Sequence, residues 1–303
     1  MTDLIEIFVN NILPIMLVAG AGLVVGRHFG IEPRPIATLI FYLLSPALVF
    51  RSLYTSEISG GEFAALYFGA IAFEVIMAVI AFMVLKLQGV DPVERAGVMI
   101  STFSLNAGNF GLPVALSAFG DAVFNRAVVV LIANVSMNYT LGVFVASNGR
   151  SSPLKSLGNL IRTPALYAVI VAFILVGFDI EMPQVFASAI DTTADAAIPM
   201  MLILLGLQLN LFRRMSKLRL VSTGVGMKLL FAPVLATGLA YLIGMGDLAR
   251  TAFILQCSMP TAVLTIIFAT EFELDTELAL NLIMVSTLLS PITLSLLISI
   301  LQT

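Results

Sequence analysis

The sequence predicts an all-α polytopic membrane protein with ten transmembrane helices in a 5+5 inverted repeat. Hydrophobic residues make up 59% of the 303 positions and charged residues only 11%, with a mean hydropathy of +1.06. Soluble domains are roughly 45–50% apolar and about 25% charged, so lipid must be the solvent for most of this surface. Apolar stretches of membrane-spanning length recur along the chain, and two of them are interrupted at matching places in the two halves.

Ten apolar spans follow one another, separated by short polar breaks. Each must be helical or shielded by protein, because backbone groups without a hydrogen bond are costly in hydrocarbon. Numbered span 1 to span 10, their expected limits are 5–26, 36–55, 62–87, 96–119, 123–147, 164–178, 184–210, 218–245, 248–270 and 276–301.

The two halves of the chain resemble each other weakly. Phe29-Gly30-Ile31-Glu32 in the first half is similar to Phe178-Asp179-Ile180-Glu181 in the second. We expect a first repeat of five helices at 1–147, a cytoplasmic linker at 148–163 and a second repeat at 164–303. Five spans in each half would insert the second repeat upside down, an arrangement found in many secondary transporters.

The distribution of basic residues predicts the orientation. Eleven of the fifteen Lys and Arg residues fall in one set of loops, which is therefore expected to face the cytoplasm. Ten spans then place both termini on the extracytoplasmic side of a multi-pass protein of the plasma membrane, the inner membrane of a Gram-negative cell.

Several enzyme classes find no support in the sequence. One cysteine, Cys257, and one histidine, His28, provide neither a disulfide nor a metal-ligand cluster. No phosphate-binding loop of an ATPase is present. No span carries the Ser–His pair, paired Asp residues or metal motif of an intramembrane protease. We therefore expect no enzyme activity and no cofactor.

Spans 4 and 9 contain residues that interrupt a helix. Relative to Ala, Gly costs a helix about 1 kcal/mol and Pro about 3 kcal/mol. Matched helix breaks are typical of a transporter's substrate site, because half-helix N-termini offer free N–H groups and a positive dipole to an anion. Packing of kinked helices is the alternative explanation. The expected substrate-binding residues are Asn106, Gly108, Asn109, Pro113, Ser258, Pro260 and Thr261, with Asn134 and Asn138 on one face of span 5.

Two ionisable residues lie within spans, Glu74 in span 3 and Lys228 in span 8. A charge inside the membrane must face protein or water and find a partner. Glu74 is a candidate carrier of a coupling proton, and Lys228 a candidate partner for a substrate anion or a carboxylate. A structural tie between helices is the alternative for both, and Lys228 could also extend along its methylene stem toward the cytoplasm.

Three sequence stretches resemble the auxin efflux carrier family of permeases. They are Asn106-Ala107-Gly108-Asn109-Phe110-Gly111-Leu112-Pro113, the helix 197–209 beginning Ala197-Ile198-Pro199, and Met259-Pro260-Thr261-Ala262 followed by Ser286-Thr287-Leu288-Leu289-Ser290. The resemblance implies a fold shared with plant auxin carriers and bile-acid symporters, in which broken spans 4 and 9 cross. It also implies a scaffold domain of spans 1, 2, 6 and 7 and a transport domain of spans 3–5 and 8–10.

The function implied is a secondary transporter, an efflux carrier or permease for small organic anions such as auxin-like or dicarboxylate compounds. A sodium-coupled bile-acid-type symporter or a cation/proton antiporter of related fold is the alternative. The expected partners are the organic anion, membrane lipid and H⁺ or Na⁺ as a coupling ion, with a homodimer left open and no nucleic acid.

Overall fold

The computed structural model describes residues 2–147, 163–210 and 215–302, and within these ranges the fold is entirely helical. An isolated bridge between Leu105 and Thr261 is the one strand-like pairing in the described residues. We number the helical segments α1 Leu4–Phe29, α2 Pro33–Tyr54, α3 Gly60–Leu87, α4 Pro92–Phe103, α5 Ala107–Ala146, α6 Pro164–Gly177, α7 Gln184–Leu209, α8 Leu218–Ile243, α9 Asp247–Cys257, α10 Leu264–Glu271 and α11 Thr276–Leu301.

The all-helical, multi-pass prediction is confirmed. By length and composition, seven of the described segments could cross a membrane, namely α1, α2, α3, α5, α7, α8 and α11. α6 is a shorter apolar helix. Predicted span 9 is divided into α9 and α10, and predicted span 4 into α4 and the start of α5, so neither forms a continuous helix of spanning length. The number of ten spans therefore stays a prediction.

The segment α5 combines the end of predicted span 4 with predicted span 5. A straight helix of its 40 residues would be about 60 Å long, twice the hydrocarbon thickness of a bilayer. Gly120 interrupts it with a φ of 72° and a ψ of −169°, a conformation that glycine adopts without steric cost. This glycine divides α5 into two helical parts.

Proline accounts for most of the irregular turns inside the long helices. π-helical turns occur at Phe8–Ile12, Ile40–Leu44, Ala107–Gly111 and Met227–Phe231, and a proline stands two residues after each of them. Proline donates no backbone hydrogen bond and its ring clashes with the preceding turn, so the turn widens to accommodate it. The fifth described π-turn, Asn138–Gly142, has no proline in this position.

Among the described helices, the most extensive contact joins α1 to the second half of α7, with α2 and α6 packed beside it. Glycines permit this approach. A Cβ atom on Gly206 would lie 2.6 Å from the backbone N of Leu23 and closer still to the carbonyl oxygen of Ala19. A Cβ atom on Gly22 would lie 2.5 Å from the carbonyl oxygen of Ile203. Small residues at helix contacts are the usual means of close packing in membranes.

The remaining helices pack around α5. This segment contacts α3 and α9, and α4 contacts α3, α8 and α11. Where α4, α8 and α11 meet, Val98 and Leu282 lie against Gly224, whose missing side chain leaves room for both. The helices thus form two groups, one of α1, α2, α6 and α7 and one of α3–α5 and α8–α11.

Charged residues tie helix ends together at both ends of this second group. Arg126 on α5 donates to both carboxylate oxygens of Glu62 at the start of α3, at 2.5 and 3.1 Å. At the other end, Lys217 pairs with Glu94 at 2.6 Å and with Asp275. These two hydrogen bonds raise the pKa of Lys217. Partial burial alone would raise the pKa of Asp275, but the hydrogen bonds from Lys217 and from the Leu278 N–H lower it.

The predicted linker at 148–163 lies outside the described residues except for Thr163, which precedes α6. Of the basic residues used for the orientation, those at 150, 155, 162, 213 and 214 also lie outside them.

Candidate functional site

The two predicted helix breaks meet in the interior of the protein. α4 ends at Phe103 and α5 begins at Ala107, whereas α9 ends at Cys257 and α10 begins at Leu264. The Asn106 N–H donates to the carbonyl oxygen of Pro260 at 2.9 Å, and the Ala262 N–H donates to the carbonyl oxygen of Ser104 at 3.3 Å. We call this antiparallel pairing of residues 104–106 with residues 260–262 the crossover.

The crossover provides partners for carbonyl groups that the end of α4 leaves free. The last carbonyls of a helix have no intrahelical donor. The Thr261 hydroxyl donates to the carbonyl oxygen of Ser101 at 2.8 Å. Lys228 Nζ donates to the carbonyl oxygens of Thr102 at 3.0 Å and Ser104 at 3.1 Å. The fully buried Lys228 side chain thus caps the C-terminus of α4 by hydrogen bonds to its carbonyl groups.

A chain of side-chain hydrogen bonds leads from the crossover to Glu74. The Ser104 hydroxyl donates to Asn138 Oδ1 at 2.6 Å, Asn138 Nδ2 donates to Asn134 Oδ1 at 3.1 Å, and Asn134 Nδ2 donates to Glu74 Oε1 at 3.0 Å. All four residues are buried. Because Asn134 and Asn138 are four residues apart, α5 presents both amides on one face. The structure therefore brings together four side chains, one from α3, two from α5 and one from the break between α4 and α5.

Several buried polar atoms beside this network have no hydrogen-bond partner among the described residues. They are Asn106 Nδ2, both amide atoms of Gln256, Glu74 Oε2 and Thr287 Oγ1. Asn106 precedes the first turn of α5 but its side chain does not cap that turn. Buried polar groups in proteins are nearly always hydrogen bonded, so each exception calls for an explanation, such as a ligand or water.

The other predicted site residues occupy different surroundings. Gly108 and Asn109 lie half-buried in the first turn of α5, and Pro113 lies buried just after that turn. Ser258 donates its hydroxyl to the carbonyl oxygen of Ile254 at 2.6 Å, within its own chain segment. The Thr261 N–H donates to the Ser286 hydroxyl oxygen at 3.1 Å, which connects the crossover to α11.

The first turn of α5 faces the other group of helices. Residues Ala107–Gly111 pack against Ala197–Leu209, the second half of α7. The half-exposed Asn109 belongs to this turn, and Asn106, whose Nδ2 is unpaired among the described residues, directly precedes it. The crossover therefore lies at the boundary between the two helix groups.

Two residues of this region were not among the predicted binding residues. They are Gln256 and Gly111, the second of which belongs to the stretch Asn106–Pro113 that resembles the carrier family. Gln256 is completely buried and lies against Gly111. The signal for Gln256 was a single amide within an apolar helix, four residues before Pro260.

Comparison with known proteins identifies the family of this chain. The sequence pattern of the family described as membrane transport protein matches residues 146–298, half of the chain. The chain belongs to this family, the auxin efflux carriers. The matched range contains α8 to α10 and most of α11, and with them the second break.

Two archaeal relatives match most of the chain. An uncharacterized transporter of Methanothermobacter thermautotrophicus is 28% identical over 257 residues, which cover 83% of each chain. An uncharacterized transporter of Methanocaldococcus jannaschii is 27% identical over 209 residues, 65% of this chain and 66% of the relative. The auxin efflux carrier resemblance inferred from the motifs is confirmed, and the protein is a membrane transport protein.

Proposed function

We propose that this auxin efflux carrier family protein is a secondary transporter that moves small organic anions by alternating access at the crossover. In this proposal ten helices form two inverted repeats, 1–147 and 164–303, with a cytoplasmic linker between them. Spans 4 and 9 are the broken, crossing pair.

The observation that carries the proposal is the buried Asn106 amide beside the paired helix breaks. Its Nδ2 group is a hydrogen-bond donor without an acceptor among the described residues, and Asn106 is only 4% exposed. It stands at the N-terminus of α5, where free N–H groups and the helix dipole favour an anion. A carboxylate placed there would accept hydrogen bonds from both the amide and the helix.

The two helix groups support a scaffold and a moving transport domain. α1, α2, α6 and α7 would form the scaffold, corresponding to spans 1, 2, 6 and 7. The glycine-mediated contact of α1 with α7 makes this group tightly packed. The boundary between the groups includes the Ser52–Asn125 hydrogen bond of 2.6 Å and the edge-to-face contact of Phe63 with Phe173. These are contacts that a sliding movement can exchange.

Glu74 is the candidate for a proton-coupling residue. One carboxylate oxygen is held by Asn134 and the other has no partner among the described residues. A buried carboxyl group that joins a polar chain leading to the crossover can link substrate binding to protonation. Replacing Glu74 by Gln should remove the pH dependence of transport while leaving binding intact. An unchanged pH profile would exclude this role.

The position of Lys228 favours the organic-anion proposal over a sodium symporter. Half-helix C-termini and unwound carbonyls are the groups that coordinate Na⁺ in transporters with broken helices. Here Lys228 Nζ already donates hydrogen bonds to two such carbonyls. An antiporter would need paired acidic residues at the breaks, and the described residues of both breaks carry none. We therefore expect transport without a sodium gradient.

The proposed location is the plasma membrane, the inner membrane of a Gram-negative cell, with both termini extracytoplasmic. A homodimer is compatible with this proposal but is not needed for it. The substrate and lipid are the partners it requires.

The test is transport by the purified protein in liposomes. Labelled monocarboxylates and dicarboxylates would be offered under imposed pH, sodium and voltage gradients. Asn106→Ala should abolish uptake and Asn109→Ala should reduce it, with unchanged elution of the folded protein. Asn10→Ala, an exposed amide on α1, is the matched control. Normal uptake by both crossover variants would move the binding site elsewhere.

A further inference from the structure

Gln256 is the most unusual polar side chain near the crossover. It lies in the last turn of α9 and is 0% exposed, yet neither Oε1 nor Nε2 has a partner among the described residues. A carboxamide that spans both a donor and an acceptor is almost never buried without hydrogen bonds. Its position directly before the second break places it at the proposed binding site.

Gly111 provides the space that Gln256 occupies. A Cβ atom on Gly111 would lie 2.9 Å from Gln256 Cδ, closer still to its Oε1, and 3.0 Å from Cγ of Met259. The Gly111 N–H donates to the carbonyl oxygen of Asn106 at 2.9 Å. Asn106 and Gln256 therefore border the same turn, Asn106 at its beginning and Gln256 against its end.

The two amides offer different chemistry to a bound molecule. The unpaired group of Asn106 is Nδ2, which can only donate. Gln256 offers a donor and an acceptor together. A carboxylate accepts hydrogen bonds but donates none, so it can satisfy Asn106 Nδ2 and Gln256 Nε2 but leaves Gln256 Oε1 unpaired. A hydroxyl group beside the carboxylate would supply the missing donor.

We propose that Gln256 is a specificity-determining residue that selects anions carrying a hydroxyl group next to the carboxylate. This inference rests on the proposed transport function and names the substrate class for the same site, the hydroxycarboxylates. A site built to hydrogen bond a substrate hydroxyl discriminates against the analogue that lacks it, because its own polar group is then left unpaired.

The test compares acids that differ only in the hydroxyl group. Liposomes containing the purified protein would be offered lactate against propionate, hydroxymalonate against malonate, malate against succinate, and mandelate against phenylacetate. For the pair whose size the site accepts, the wild-type protein should transport the hydroxylated member with a kcat/KM roughly tenfold higher than that of the other member. Gln256→Leu should reduce this preference to about onefold to twofold, with the transport of the unsubstituted acid changed less than that of its hydroxylated partner.

Two further variants guard against a misfolded protein. Gly111→Ala should displace the Gln256 carboxamide and lower the preference for the hydroxylated acid. The double variant Gly111→Ala with Gln256→Ala should elute like the folded wild-type protein but should not regain this preference. Gln88→Leu removes a half-buried amide that follows α3, at the opposite end of α4 from the crossover, and should keep the preference.

The outcomes separate the two proposals. If the wild-type protein moves carboxylates without preferring hydroxylated members, the role of Gln256 is refuted and the transport function stands. The same holds if Gln256→Leu and Gln256→Met both keep the wild-type preference. If the wild-type protein moves no carboxylate under any gradient, both proposals are refuted.

Discussion

The contact between α1 and α7 provides a test of the tightly packed helix group. Gly206→Ala adds one methyl group at a position where the nearest atoms belong to the backbone of α1. The new Cβ atom would lie 2.6 Å from Leu23 N and 2.8 Å from the carbonyl carbon of Ala19, and closer still to the Ala19 oxygen. Real Cβ atoms essentially never approach other heavy atoms within 3.0 Å. Because backbone atoms cannot rotate away as a side chain can, the two helices must separate.

The expected loss of stability is about 1–3 kcal/mol, the usual range for overpacking a close-packed contact. At roughly 2–4 °C per kcal/mol for a chain of this size, the unfolding temperature should fall by several degrees. Gly20→Ala on α1, the helix that Gly206 contacts, is the matched control, because a Cβ atom there would have nothing within 4 Å. This control should be neutral or slightly stabilising, since Ala favours a helix by up to about 1 kcal/mol over Gly.

The single cysteine provides the assay. The chain has no tryptophan for intrinsic fluorescence, and Cys257 is completely buried. A thiol-reactive dye added during heating in detergent therefore reports when the interior opens. Equal unfolding temperatures for Gly206→Ala and the wild type would refute the close α1–α7 contact. A fall of the same size for Gly20→Ala would show that the effect is not specific to this contact.

Three further predictions concern the polar network, the domain boundary and a surface ion pair. Asn138→Ala should lower initial uptake about tenfold, because it breaks the chain of hydrogen bonds in two places; uptake at the wild-type rate would contradict this. A Cys pair at Ser52 and Asn125 should stop transport when oxidised and restore it when reduced, and full transport by the oxidised protein would exclude relative movement there. Asp275→Asn should cost less than about 1 kcal/mol at pH 7, because the carboxylate with the lowered pKa pairs with Lys217. The wild-type protein is more stable than the variant above the ordinary pKa of Asp, and this difference in stability is lost as the pH falls through the lowered pKa of Asp275. The unfolding temperatures of the two proteins should therefore converge in strong acid.

The helix boundaries were predictable wherever apolar stretches end in polar loops. Predicted spans 1 to 3 agree with α1 to α3 within a few residues, because the length of an apolar stretch fixes the helix that lipid requires. The turn between predicted spans 4 and 5 is different. There the helical segment continues through residues 107–146 and is divided only by the backbone conformation of Gly120. The positive φ of this glycine cannot be predicted from the composition of the stretch.

The helix breaks were predictable, but their partners were not. Gly and Pro in spans 4 and 9 indicate where each helix is interrupted. The pairing of the Asn106 N–H with Pro260, 154 positions further along the chain, depends on how the two halves pack. The same is true of Lys228, which the sequence suggested as a partner of an anion or a carboxylate. In the structure its Nζ donates hydrogen bonds to backbone carbonyls, groups that every residue carries and that no sequence pattern marks.

The two helix ends at the crossover differ in whether their polar groups have hydrogen-bond partners within the chain. At the end of α4, carbonyl groups accept hydrogen bonds from Lys228 Nζ and the Thr261 hydroxyl, so the negative end of that helix is compensated within the chain. At the start of α5, the Asn106 amide keeps a donor without an acceptor among the described residues. The compensated end has no need of a cation from solution, whereas the uncompensated end favours an acceptor. An anion bound at the first turn of α5 would supply the interaction that the chain itself leaves unmade.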